Sequence, residues 1–179
     1  MGENTKIQYV WLGTSIACQE DANRNIPELL KCRDLAAKLF LSIEPLVGPV
    51  DLTQVIADDG DSLDVLGGYG RAIGGASGPF VPVDWVIVGG ESGPNARPCD
   101  IAWIRSIVRQ CKDAGVPVFV KQLGAKPLVP LAPSDDHWPG MHADPRWRSD
   151  GMATLVLDDP KGGDHAEWPE DLRVREVPA

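Results

Sequence analysis

No C-x-x-C pair occurs in this sequence, and its four cysteines, Cys18, Cys32, Cys99 and Cys111, stand far apart. That spacing excludes a compact thiolate loop for a metal or cluster and reads as free thiols packed like small hydrophobic groups in a reducing compartment. Cys99, beside a glycine-rich loop, is the cysteine to test for reactivity. Histidine is scarce as well: His137, His142 and His165 all fall towards the carboxy terminus and none is at helical ligand spacing, so neither a Ser/His/Asp arrangement nor a histidine metal site is expected. No apolar run approaches the roughly 20 residues that cross a bilayer, and the opening MGENTKIQ lacks the apolar core of a signal peptide. A cytoplasmic protein is expected. Positive charge is in deficit, with 17 basic against 26 acidic side chains and a formal net charge of -9. That balance argues against holding bare nucleic acid by bulk electrostatics.

What is present is a globular composition, 43% apolar over 179 residues, which is enough for a substantial core. The chain is organised around Asp84–Pro98, DWVIVGGESGPNARP. Trp85 to Val88 is an apolar run rich in β-branched residues and reads as a strand buried on both faces. It stops at Gly89-Gly90, which let the backbone turn sharply or approach a ligand, and Glu91, Ser92, Asn95 and Arg97 follow at once. Either this loop faces a ligand, or Glu91 and Arg97 pair with each other in solvent.

The same pattern recurs along the chain. Tyr9 to Leu12 is a short apolar run ending in Gly13-Thr14-Ser15. A helix is expected to begin near Pro27, capped by Asn25, with Leu29 and Leu30 facing inward. Lys38 to Ile43 is the second strand and runs into Glu44-Pro45, so Glu44 is either a carboxylate facing inward from a strand end or an exposed turn residue. A short helix over 52–57 is expected, then an acidic and glycine-rich surface insertion over 58–83. The insertion's GGYGRAIGGASGP lacks the strand and helix flanks of a phosphate-binding loop. Asp100 caps a helix carrying Ile101, Ile104, Ile107, Val108 and Cys111 at helical spacing, and Gly115 stops it. Val116 to Val120 is the next strand, delivering Lys121 and Gln122. Residues 126–179 read as an irregular Pro- and Trp-rich tail, with Trp138 and Trp147 holding it down and one short strand over 154–157, packed on the same domain as residues 1–125.

Four strands thus place polar residues at their carboxyl ends: Ser15, Glu44, the Glu91–Arg97 loop, then Lys121 and Gln122. In parallel α/β folds sites occur on that face. The expected architecture is a partial (β/α) barrel or an open parallel sheet of about four strands. Its two carboxylates and two cations bind a polar, amphoteric molecule or hold one another in a salt-bridge network.

The segments VWLGTSI, FLSIEPLVGPVDL, DWVIVGGESGPNARP, VFVKQLG and GGDHAEWPEDLRVREVP, in this order, resemble a phage and prophage family of unknown function whose barrel is similar to radical S-adenosylmethionine enzymes. Members of that family usually carry an amino-terminal portion with a three-cysteine cluster motif, and this chain begins after where that portion would end. A radical enzyme needs thiolates to hold a [4Fe–4S] cluster. For this chain alone the resemblance therefore implies no iron–sulfur cluster and no radical chemistry, with S-adenosylmethionine the one cofactor left open. Ala17-Cys18 departs from the carboxylate expected after the GTS segment. By motif, the family's site residues fall on Ser15, Glu44, Glu91, Ser92, Arg97, Lys121 and Gln122, taken together as a binding surface. The resemblance implies a cluster-less half-barrel that acts by binding a host or phage protein or itself. A subunit or remnant of a split enzyme, and a binder of a small molecule or nucleotide, are the alternatives. Because a four-stranded sheet falls short of the about 250 residues of a closed barrel, an uncovered edge and a homodimer or separate protein partner are expected.

Overall fold

The computed structural model describes residues 7–71, 77–130, 143–144 and 151–179. In chain order the elements are β1 (Ile7–Ser15), α1 (Gln19–Leu30), β2 (Ala36–Ile43), β3 (Val55–Ile56), β4 (Ser62–Asp64), β5 (Tyr69–Arg71), β6 (Gly78–Pro79), β7 (Trp85–Gly89), β8 (Cys99–Asp100), α2 (Ile101–Ala114), β9 (Val118–Gln122), β10 (Pro127–Pro130), β11 (Ala143–Asp144) and β12 (Met152–Leu155). Two single-turn 3₁₀ helices, His165–Glu167 and Glu170–Leu172, follow.

The four strands expected from sequence form one parallel sheet in the order β1-β2-β7-β9. The order advances in one direction only. Because parallel crossovers are right-handed, helices joining strands that always step the same way fall on the same face of the sheet. The core agrees: Leu39, Leu41 and Ile43 of β2, Val86 and Val88 of β7, and Val118 and Val120 of β9 are buried in one cluster with Ile26 and Leu29 of α1 and Ile104, Ile107, Val108 and Cys111 of α2. The alternate residues, Trp11, Phe40, Trp85 and Phe119, are outside that cluster. The sheet is singly wound, open and α/β, with its helices on one side.

α2 matches its sequence signals. Asp100 accepts a hydrogen bond from Ala102 N at 2.9 Å, and Gly115 ends the helix in the left-handed region at φ 70°. α1 does not. It begins at Gln19 and carries Pro27 inside it, because burial of Ala22, Ile26 and Leu29 along one stripe holds the polar first half helical and outweighs the proline. Asn25 is no cap: from within the helix its Nδ2 donates to Ser15 O at 3.1 Å. Nor do residues 52–57 form a helix. Asp51 Oδ1 accepts from Thr53 N at 2.9 Å and makes an Asx turn, after which Val55 and Ile56 enter a four-stranded antiparallel meander, β3-β4-β5-β6. The expected surface insertion therefore has its own sheet, and Val65, Leu66 and Val83 are buried in the main core.

The tail also has more structure than its composition suggests. β12 lies at Met152–Leu155, two residues earlier than expected, and pairs antiparallel with β10. Trp168 and Leu172 join the main core. Val120 N donates to Val174 O at 2.8 Å and Glu176 N to Val118 O at 3.0 Å, so the chain's own carboxy-terminal residues cover the outer edge of β9. The expectation of a bare edge fails there, since parallel-strand groups left open by the four strands are met by this extended segment. Trp138, Trp147, His137 and His142 lie outside the described residues. Among the described residues no helix is long and apolar enough to cross a membrane.

Candidate functional site

Parallel pairing brings the carboxyl ends of β1, β2, β7 and β9 to one rim. Glu44, directly after β2, reaches across β7 to β9: its carboxylate accepts from Gln122 Nε2 at 3.0 Å and lies 3.0–3.1 Å from Lys121 Nζ. Gln122 is buried, and its Nε2 also donates to Gly90 O at 2.9 Å. Glu44 therefore faces inward, held by an ammonium and an amide, with the carboxylate itself only 18% exposed. This cluster presents a nearly buried carboxylate beside a half-exposed cation.

Among the described residues, no hydrogen bond or ion pair joins the other candidates' side chains to it. Glu91 and Arg97 pair with each other at 2.7 Å on an exposed loop, and Glu91 Oε2 also accepts from Arg97 N at 3.0 Å. The pairing that one of the two readings of that loop expected is present. The Arg97 hydrogen bonds hold the Glu91 carboxyl below the usual carboxylate range. Such a group contributes above its unfolded pKa and loses its contribution as pH falls through the depressed folded value. Replacing Arg97 by Gln should raise the Glu91 titration towards the ordinary range with little change in melting temperature, because exposed pairs contribute little. A carboxylate titration followed by NMR measures this, and an unchanged Glu91 titration would show that the pairing is absent in solution. Ser92 stands exposed in the same loop. Ser15 is at the rim opposite Ser42, but its hydroxyl makes no hydrogen bond to the Glu44 cluster.

The double glycine serves chain packing. A Cβ on Gly90 would collide with Leu123 O, one on Gly124 (φ 90°) would come to 2.8 Å of Glu91 O, and one on Gly162 (φ 62°) to 2.5 Å of Gly124 O. Three backbone segments interlock there with no room for side chains, so the close approach inferred for Gly89-Gly90 is to the protein's own main chain.

What the sequence reading missed is the open face of the sheet. Trp11, Phe40, Trp85 and Phe119, one from each strand, form a contiguous aromatic row: Trp85 meets Trp11 at 5.9 Å, Phe40 at 6.0 Å and Phe119 at 6.2 Å between ring centroids. Arg175 closes one end over Phe119 at 5.4 Å. The other end is uncovered, with Tyr9 91% and Trp11 44% exposed. The signal was the alternation of Tyr9-Trp11, Lys38-Phe40-Ser42-Glu44, Trp85-Ile87 and Phe119-Lys121, which places all of these on one face. A separate cleft of about 580 Å³ is lined by α1 and the insertion sheet, including Leu30, Leu63, Phe80 and Asp58. It contains none of the candidate binding residues Ser15, Glu44, Glu91, Ser92, Arg97, Lys121 and Gln122.

The four cysteines are free thiols in different settings. Cys99 and Cys111 are buried, and burial pushes both thiols up to about 12, while Cys18 and Cys32 are partly exposed. Among the described residues no three His, Cys, Asp or Glu side chains converge as metal ligands. Cys99 is thus the wrong residue to suspect of reactivity. In the native protein a thiol reagent should modify Cys18 and Cys32 quickly and Cys99 and Cys111 only on unfolding, as counted by peptide mass spectrometry. Rapid modification of Cys99 would contradict its burial.

Fold and site together define an α/β protein with a singly wound four-stranded parallel sheet, polar side chains at its carboxyl rim and an aromatic open face. Residues 2–147 match the family described as protein of unknown function (DUF5131), and the chain belongs to that family. No curated protein and no solved structure matches it.

Proposed function

We propose that this protein acts by binding a protein partner, from host or phage or a copy of itself, through the open face of its parallel sheet, and that it does no cluster chemistry by itself. The observation that carries the reading is the aromatic row Trp11, Phe40, Trp85 and Phe119, which among the described residues lies outside the core cluster that takes in both helices and ends at two exposed aromatic side chains on β1. Contiguous exposed apolar surface rimmed by polar groups marks interaction sites, and Trp and Tyr dominate their energetics. In a barrel the corresponding face is interior. A kinship with the radical S-adenosylmethionine barrels, and a phage origin, are part of this proposal; the quoted sequence segments and the one-sided placement of the helices support them. The dispersed cysteines support a cluster-less role.

A second reading is favoured by one observation. The Glu44, Lys121 and Gln122 cluster at the strand ends suits a small polar ligand such as S-adenosylmethionine or a nucleotide, either in this chain alone or in one subunit of a split enzyme. Affinity purification from a bacterial cytosol with the wild type and with Tyr9→Glu separates the readings when run beside calorimetry with S-adenosylmethionine and common nucleotides. Stoichiometric retention of a protein by the wild type and its loss from Tyr9→Glu is expected. Saturable ligand heat with no retained protein would favour the second reading over the first.

A further inference from the structure

The two edges of the main sheet are treated differently. The outer edge of β9 is covered by residues 174–176 of the same chain, whereas β1 ends the sheet with nothing paired beyond it among the described residues. Ile16 N donates inward to Ser42 O on β2, and Ser15 O turns outward to Asn25 Nδ2. Main-chain groups alternate sides along a strand, so Leu12 and Thr14 face β2 while Trp11 and Gly13 present their N–H and C=O groups outward. Natural edges are blunted by charge, proline or a bulge. β1, IQYVWLGTS, holds no charged residue and no proline, and its register irregularity lies before Trp11, leaving Trp11 to Ser15 regular against Trp11↔Lys38 to Ser15↔Ser42.

We propose that a second copy of this chain occupies the edge, with β1 pairing antiparallel to β1 of the partner about a two-fold axis at Leu12. In that register Trp11 faces the partner's Gly13 and Gly13 the partner's Trp11. Each couple exchanges two main-chain hydrogen bonds, so the four outward groups of Trp11 and Gly13 in each strand are satisfied. The side chains also fit. The Phe40 ring lies over Gly13, where a Cβ would collide, so an indole arriving opposite Gly13 meets Phe40 and extends the row Phe40, Trp85, Phe119 into the partner. Charge favours the same occupant. Two copies of a chain of net charge -9 repel almost everywhere, and an uncharged strand is where they meet without like charges opposed. The isologous contact is closed and does not propagate into fibres.

The inference rests on reading the open face as a binding surface, and the experiment separates the two. Sedimentation equilibrium across concentrations should give twice the 19.3 kDa chain mass. Hydrogen exchange at residue resolution should show the Trp11 and Gly13 amides slowing with concentration, while those of Leu12 and Thr14, bonded to β2 in either state, stay constant. Trp11→Lys, an exposed substitution that adds the commonest natural edge charge, should weaken the dimer by about tenfold or more. A monomer at every concentration, or a dimer in which Trp11 and Gly13 exchange at the monomer rate, overturns self-pairing. If another protein purifies seated on β1, self-pairing is overturned and the open-face reading stands.

Discussion

Trp168→Ala should destabilise the fold by about 3–5 kcal/mol, the usual cost of truncating a buried tryptophan. Trp168 is 1% exposed although it comes from the tail. Its Nε1 donates to Gly162 O at 3.0 Å, that same carbonyl accepts from Leu123 N at 2.8 Å, and Arg175 lies over its ring at 5.4 Å. The side chain therefore joins the turn at Gly162, the end of β9 and the segment that covers the β9 edge. For a chain of this size the loss corresponds to a fall in melting temperature of roughly 6–20 °C. Trp168→Phe keeps most of the ring and leaves Gly162 O one donor short, so about 1–3 kcal/mol is expected. If Trp168→Ala melts within about 2 °C of the wild type, the tail is not part of the core.

Gly124→Ala should cost about 2–5 kcal/mol, the sum of a side chain forced into positive φ and of overpacking against backbone. At φ 90° the added methyl would meet Glu91 O at 2.8 Å and Glu91 N at 3.0 Å. Neither is the flexible end of a side chain, so the strand ends of β7 and β9 must separate, and the Gln122 bridge between Gly90 O and Glu44 loosens with them. Gly93→Ala is the control: φ is 108°, but nothing lies within 4 Å of the added methyl, so only the conformational part remains. Chemical denaturation of both variants checks this. Equal losses would mean that the interlock at Gly90, Gly124 and Gly162 carries no packing cost.

Much of this arrangement was legible in the residues. The four parallel strands announced themselves as β-branched runs ending in glycine or polar residues, and α2 had both its cap and its stop in Asp100 and Gly115. Glu44, Lys121 and Gln122 were recognisable as rim residues because each directly follows or ends an apolar run. Their convergence was not, since it depends on the strand order, which places β7 between β2 and β9. The Glu91–Arg97 loop sequence is compatible with a pair or with separate side chains, and the pairing became visible only in the fold. α1 was misplaced because propensity weighed Pro27 locally, whereas burial of Ala22 and Ile26 is a tertiary effect. The insertion looked unstructured because its strands are two or three residues long and carry Asp and Gly. The aromatic row stayed hidden because each strand contributes a single large ring.

Oxidative footprinting read by mass spectrometry tests most directly whether the open sheet face is the working surface. The isolated protein at low concentration is compared with the protein in its purified assembly, using Tyr69, 49% exposed on the insertion sheet, as the internal reference. Modification of Tyr9 and Trp11 should fall in the assembly while that of Tyr69 stays constant. Unchanged labelling at Tyr9 and Trp11, with protection appearing at Tyr69 or elsewhere, would contradict the claim.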